Sequence, residues 1–248
     1  MHYAWDALAA GVRRCRLPFL DVTVGLIAGP SAVVLIDCGT TLAEAERIAE
    51  DVIELCGRPV TDVVLTHHHF DHILGSAGFP NARLHGSAPV AMALSSGIRV
   101  VREHAVSYGA PPDEIDRTVD RIRSLDHVVS STRIDMGDRI VRVEHPGRGH
   151  TDHDLVAVAW PRDPDDRPVV FCGDLVEESA DPAVDDGSDL ASWPATVNHL
   201  LRLGGPDAVY VPGHGAVVRA GFLTEQRDWL RRAAGNVTGD PDRAAREG

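Results

Sequence analysis

Residues 63–72 read Val63-Val64-Leu65-Thr66-His67-His68-His69-Phe70-Asp71-His72, an apolar run that ends in four imidazoles and a carboxylate. Nitrogen and oxygen donors at that density suit zinc. If the strand over 61–66 stays extended for a few residues more, His67 and His69 fall on one side, two positions apart, and His68 points away. Asp71 and His72 follow where the chain must turn. One pair followed by another is the local arrangement for two ions side by side, the alternating histidines on one and the carboxylate with its neighbour on the other. The competing reading is a solvated loop that happens to be rich in histidine, and these residues alone do not remove it.

Upstream, Val22 to Ile27 and Ala32 to Ile36 are two apolar runs joined through Ala28-Gly29-Pro30-Ser31, a hairpin signal. The second run ends in Asp37-Cys38-Gly39-Thr40. Thr41 with Glu44 forms a capping box for a helix whose apolar face is Leu42, Ala45, Ile48, Ala49, Val52, Ile53 and Cys56. Gly57 stops that helix, Pro59 bars its continuation, and the strand over 60–66 delivers the histidines to its C-terminal end. Strand, helix, strand in this order predicts an α/β layered fold with ligands on loops at strand ends.

Downstream, a short strand is expected near Ala82 to His85, a helix over Ser87 to Ser96, and another opened by Pro111-Pro112-Asp113 with Ile115, Val119, Ile122 and Leu125 on one face. Ile98 to Gly109, carrying Arg99, Arg102, His104 and Tyr108, shows no clear period and reads as a packed surface excursion or a flap over the site. Strands are expected at His127 to Arg133, Arg139 to Glu144, Leu155 to Trp160, Pro168 to Cys172 and Ala208 to Val211. Asp163 to Arg167 is a solvated turn, and Glu177 to Asp189 an acidic loop. A helix begins near Ser192 with Pro194 in its first turn. A last helix covers Phe222 to Ala234, which makes residues 1–234 one domain and leaves 235–248 as a frayed polar tail.

Three more ligand-type side chains follow glycine near strand ends: His150 after Gly149, Asp174 after Gly173 and His214 after Gly213. Glycine there lets backbone approach an ion closely and lets the loop turn sharply.

With these residues in place the sequence resembles the metallo-β-lactamase superfamily through nearly its full length. Asp37, His67-His68-His69-Phe70-Asp71-His72, His150, Asp174 and His214 match the family's ordered pattern. The resemblance implies a four-layer αββα sandwich with the metals at one edge of two mixed sheets. It implies that His67, His69 and His150 hold one zinc, that Asp71, His72 and His214 hold a second, and that Asp174 bridges them while Asp37 supports the site from behind. The expected cofactor is two zinc ions, with iron as the alternative. The expected reaction is attack of a metal-activated water on an ester, thioester or lactone carbonyl, with Asp71 orienting the water and passing a proton to the leaving group. A persulfide dioxygenase-like reaction at one iron is the runner-up.

A β-lactamase is the less favoured alternative. The commonest β-lactamases place cysteine where Asp174 stands, and many hold the drug's carboxylate with a lysine three residues later, where this chain has Glu177. Arg148 or Arg99 is a candidate substitute anion anchor, against an ordinary surface arginine, and His153, Glu177 and Trp193 are further candidates to line the pocket, against a solvated loop for His153 and ordinary helix packing for Trp193.

The whole chain fits that picture. Its 248 residues suffice for a sizeable core, with 44% hydrophobic and 25% charged residues. A formal charge of −13 argues against nucleic acid or an anionic membrane as partner and for a small-molecule substrate. There is no lysine, so all the fixed positive side-chain charges are arginine. Cys15, Cys38, Cys56 and Cys172 are too widely spaced for a zinc knuckle or a dense disulfide framework. Residues 1–16 show no basic start followed by an apolar stretch, no run reaches the length of a membrane span, and the expected location is cytoplasmic. Nothing in the sequence specifies an oligomeric state.

Overall fold

The computed structural model describes residues 1–162 and 166–238. The first half of the chain builds a seven-stranded mixed sheet, with β1 (Asp6–Ala9), β2 (Val12–Arg16), β3 (Thr23–Ala28), β4 (Val33–Ile36), β5 (Asp62–Val64), β6 (Arg83–Gly86) and β7 (His127–Val128) side by side in that order. The pairs from β1 to β4 are antiparallel, and those from β4 to β7 are parallel. Parallel neighbours need crossovers. These are α1 (Leu42–Cys56), then α2 (Phe70–Ile73) with a tight turn over Leu74–Gly78, then α3 (Ala88–Ala93), α4 (Ile98–Ser107) and α5 (Pro112–Val119).

The second half builds a five-stranded sheet from β8 (Ser131–Asp135), β9 (Ile140–Glu144), β10 (Val156–Ala159), β11 (Val169–Glu177) and β12 (Val209–His214), in the order β12-β11-β10-β9-β8. Only β11 and β12 run parallel there, and the helix α6 (Trp193–Gly204) makes that crossover. The helix α7 (Ala220–Thr238) follows.

Alternation along each strand divides the core into three slabs. Val24, Leu26, Val33 and Leu35 pack under α1 with Ile48 and Val52. Ile27, Val34, Ile36 and Val64 turn the other way, onto Val143, Ala157, Val169, Phe171 and Val211 of the second sheet. Val156, Val158, Val170 and Tyr210 face Trp193, Val197 and Leu200 of α6 with Leu223 and Leu230 of α7. The result is the expected helix, sheet, sheet, helix sandwich. Both faces of the central strands are covered, which is why they read as unbroken apolar runs. The sheets approach so closely that a Cβ on Gly25 would sit 2.3 Å from the Phe171 ring.

The Thr41 capping box and the left-handed Gly57 end α1 as the sequence predicts. Four expectations need correction. β1 and β2 were not expected, because Val12-Arg13-Arg14-Cys15-Arg16 hides its alternation behind arginines; Arg14 is nonetheless buried, with its guanidinium donating to Gly215 O at 2.7 Å. The strand expected over 127–133 is two strands in different sheets, the chain crossing at Val129-Ser130. Residues 98–107, read as an aperiodic surface excursion or flap, form a helix. The last helix begins at Ala220 and runs past Ala234 to Thr238. Residues 239–248 of the expected tail and 163–165 of the expected turn lie outside the described residues. Among the described residues, no helix is long and apolar enough to cross a membrane.

Candidate metal centre

The strand ends of both sheets meet at one edge. Leu155 N donates to Thr66 O at 2.8 Å, and Val22 bridges to His214. β5 ends just before His67, and Phe70 opens α2, which carries Asp71 and His72. His150 lies on the loop between β9 and β10, while Asp174 lies inside β11 and His214 closes β12. Seven side chains spread over 148 positions of sequence thus form two adjoining groups, His67, His69, His150 and Asp174 in one and Asp71, His72 and His214 in the other, with the ligand atoms of each within 4.8 Å of one another.

Outer hydrogen bonds dictate which ring nitrogen faces inward. Thr66 Oγ1 donates to Asp37 Oδ2 at 2.9 Å and so accepts from His67 Nδ1 at 3.0 Å. Ala183 O, which can only accept, takes the proton of His150 Nδ1 at 3.1 Å. Asp185 Oδ2 stands 3.4 Å from His69 Nε2. Each of these rings turns its other nitrogen inward, and those nitrogens crowd together, His69 Nδ1 lying 3.1 Å from His67 Nε2 and 3.0 Å from His150 Nε2. Burial holds His67 and His150 below the ordinary histidine range, so neither takes a proton to relieve the contact. The lone pairs of His67 and His150 converging on His69 Nδ1 call for a cation, metal ion or proton, among them.

The second group has the same design. His72 Nδ1 donates to Asp37 Oδ2 at 2.8 Å and His214 Nδ1 to Leu20 O at 2.7 Å, which turns the two Nε2 atoms towards each other at 3.3 Å. Asp71 Oδ2 is 3.4 Å from His214 Nε2. Asp174 stands between the groups, with Oδ2 3.5 Å from both His67 and His150 and 3.4 Å from His214, and Oδ1 3.2 Å from His72. That Oδ1 is buried without a hydrogen-bond partner, as a ligand atom would be. The residues present therefore fit a pair of divalent cations.

Protons and a divalent cation compete for the second group. At His214 burial opposes charge, but Asp174 and Asp71 outweigh it and push the imidazole up to about 9. His72 is likewise raised above its usual range, burial being outweighed by Asp174, Asp71 and Asp37. A group with a raised pKa holds its proton at neutral pH, so a cation that takes the lone pair must expel it. Zinc binding at pH 7 is therefore expected to release at least one proton and to weaken as pH falls. Calorimetry in buffers of different ionisation enthalpy reads the number released, and pH-independent affinity would contradict this assignment.

An open cavity of about 290 Å³ lies over the two groups. Of the side chains expected in its wall, Glu177 is there. Trp193 instead fills the core under α6, fully buried, with its Nε1 donating to Leu175 O. His153 lies behind the site, 3.1 Å from His68 and 2.9 Å from Asp152. Arg148 turns to Asp189 at 3.4 Å, and Arg99 pairs with Glu103 one turn along α4. The wall also holds His104, Tyr108, Leu20, Val184 and Asp185. The four-residue spacing of His104 and Tyr108, which puts both on one face of a helix, was the available signal for that pair. Leu20 acts on His214 through its backbone and has no sequence signal.

A two-sheet sandwich with nested histidine and aspartate groups at the shared edge defines a metal-binding hydrolase fold. The metallo-β-lactamase superfamily model matches residues 17–214, and this chain belongs to that superfamily. A metallo-β-lactamase type 2 from Bacillus cereus is 25% identical over 210 residues, covering 84% of this chain and 72% of that protein. A second, from Bacillus sp. (strain 170), is 24% identical over the same coverage. Among solved structures, a metallo-β-lactamase from Pontibacter korlensis superposes with a TM-score of 0.69 at 20% identity, over 93% of this chain and 99% of the other. The FIM-1 metallo-β-lactamase of Pseudomonas aeruginosa in its mono-zinc form gives 0.70 at 16% identity, over 94% and 96%.

Proposed function

We propose that this chain is a dinuclear zinc hydrolase acting on an ester, thioester or lactone. The observation that carries this is the convergence of inward nitrogens on the buried Asp174 carboxylate, whose Oδ2 stands 3.4 to 3.5 Å from His67, His150 and His214 and whose Oδ1 stands 3.2 Å from His72. His67, His69 and His150 would hold one ion and Asp71, His72 and His214 the other, with Asp174 shared. Bound zinc supplies Lewis acidity, which polarises a carbonyl and lowers the pKa of water. The chain's own residues do the rest. Asp37 is left-handed at φ 60 and accepts from Thr66 N, Thr66 Oγ1 and His72 Nδ1, so one carboxylate fixes ligands of both groups. Asp71 faces the cavity and holds or hands on a proton at its carboxylate. Phe70, His104 and Tyr108 form an aromatic wall, with ring centroids 5.0 to 5.5 Å apart, against which a substrate body lies.

A lactam is the second substrate class, favoured by the relatives named metallo-β-lactamase type 2. The test combines metal analysis of the purified protein with turnover of a thioester, a lactone and a chromogenic lactam, before and after chelation and zinc return. Two zincs and chelator-sensitive ester or lactone cleavage are expected. One iron with oxygen consumption would replace this reading by an oxygenase, and turnover of the lactam alone would move it to the second class.

A further inference from the structure

We infer that the cavity selects substrates with no negative charge near the reacting carbonyl, namely uncharged or cationic esters and thioesters with an apolar body. This rests on the hydrolase reading and narrows it. Four carboxylates line the cavity, Asp71, Asp174, Glu177 and Asp185, and among the described residues no arginine does. With no lysine in the chain, no fixed basic side chain is there to meet an anion.

The arginines placed nearest in sequence are engaged elsewhere. Arg16 forks onto Asp21, Arg102 onto Asp116, Arg99 reaches Glu103, and Arg148 lies beside Asp189. Two of the four carboxylates, Asp71 and Asp174, face the ring nitrogens and are committed to cations. Glu177 and Asp185 belong to neither ligand group, although Asp185 meets the outer nitrogen of His69. Glu177 Oε2 accepts only the Ala183 amide, at 3.0 Å, and Asp185, with its side chain half exposed, accepts the Gly187 amide at 2.7 Å and stands behind His69. They leave two negative charges in the wall of a partly desolvated site, where like charge is penalised more heavily than in water.

The rest of the wall is partly apolar and aromatic. Leu20, Phe70, Tyr108 and Val184 line it, and Tyr108 and Val184 are 58% and 47% exposed. Large apolar side chains left open beside a polar cleft mark a surface that a ligand covers. Aromatic faces also attract cations. Acids and aromatic rings in one wall therefore suit a neutral or positive group attached to an apolar body.

The experiment uses the zinc-loaded chain and three acyl probes of similar length: p-nitrophenyl butyrate (uncharged), mono-p-nitrophenyl glutarate (anionic) and butyrylthiocholine (cationic). The uncharged and cationic probes are expected to exceed the anionic one in kcat/KM by about tenfold or more. Raising salt from about 0.05 to about 0.5 M should narrow the gap, since screening weakens charge discrimination but not steric discrimination. Glu177→Gln should narrow it as well. A readout independent of turnover is calorimetric affinity for 2-mercaptoethanol, cysteamine and 3-mercaptopropionate, in which the anionic thiol should bind weakest. If no ester turns over but that thiol order holds, charge selection stands and the hydrolase reading fails. Equal or better turnover of the glutarate ester, or tightest binding of 3-mercaptopropionate, overturns the inference.

Discussion

Asp71→Ala is expected to lower kcat/KM for an ester by about a thousandfold or more while the protein stays folded, because proton handling by a positioned carboxylate contributes roughly 10² to 10⁴ and a ligand is lost with it. Three observations separate this from simple destabilisation. Asp71 belongs to none of the three apolar slabs, so no core volume is removed. It sits in the short α2, where alanine is a better helix former than aspartate. It also belongs to only one of the two ligand groups. Bound zinc should therefore fall from two ions to one, with His67, His69, His150 and Asp174 still able to hold the survivor. Elemental analysis, a thermal melt and steady-state kinetics on one preparation check all three points. Turnover close to that of the unaltered protein would remove Asp71 from the reaction.

The site was legible in sequence to an unusual degree because its residues are chemically loud. A carboxylate and four imidazoles in six positions, followed by three glycine-preceded ligand types, have few structural uses besides cation binding, and the structure brings Asp37, His67, His69, Asp71, His72, His150, Asp174 and His214 to one edge. The buried strands were legible because both of their faces are covered. What stayed hidden acts through backbone or through partners remote in sequence. Leu20 orients His214 with a carbonyl, and Ala183 does the same for His150. Asp185 was one acid among several in an acidic loop. β2 escaped because Arg14 buries its stem and spends its charge on Gly215 O and Asp6. Trp193 read either as a pocket wall, because it follows the acidic loop, or as ordinary helix packing, and the structure takes the second: a large apolar ring at the start of a helix gains more from the core beneath α6.

Gly213→Ala should have an effect as large without removing any ligand atom. Gly213 has no left-handed backbone to protect, unlike Gly173 at φ 53, so its reason lies in space alone. A Cβ there would stand 1.9 Å from Asp174 Oδ1, 2.9 Å from Gly173 C and 3.0 Å from Asp174 N. The last two are main-chain atoms, so rotating the Asp174 side chain does not clear the contact. Either β12 moves off β11 or Asp174 is driven out from between the two groups. The first outcome costs about 1 to 3 kcal/mol of stability, as overpacking usually does. The second acts on both groups at once, since Asp174 stands between them. Zinc affinity is expected to fall about tenfold to a hundredfold, the cost typical of disturbing the support of a metal site, and turnover to fall with it. Gly221→Ala is the control, because a Cβ at that position on α7 meets nothing within 4 Å. The two aspartate-linked variants then give different metal counts, with Asp71→Ala keeping one ion tightly and Gly213→Ala weakening both. Were Gly213→Ala to keep two tightly held zincs and full turnover, Asp174 could not be the shared ligand, and the two groups would have to act as separate sites.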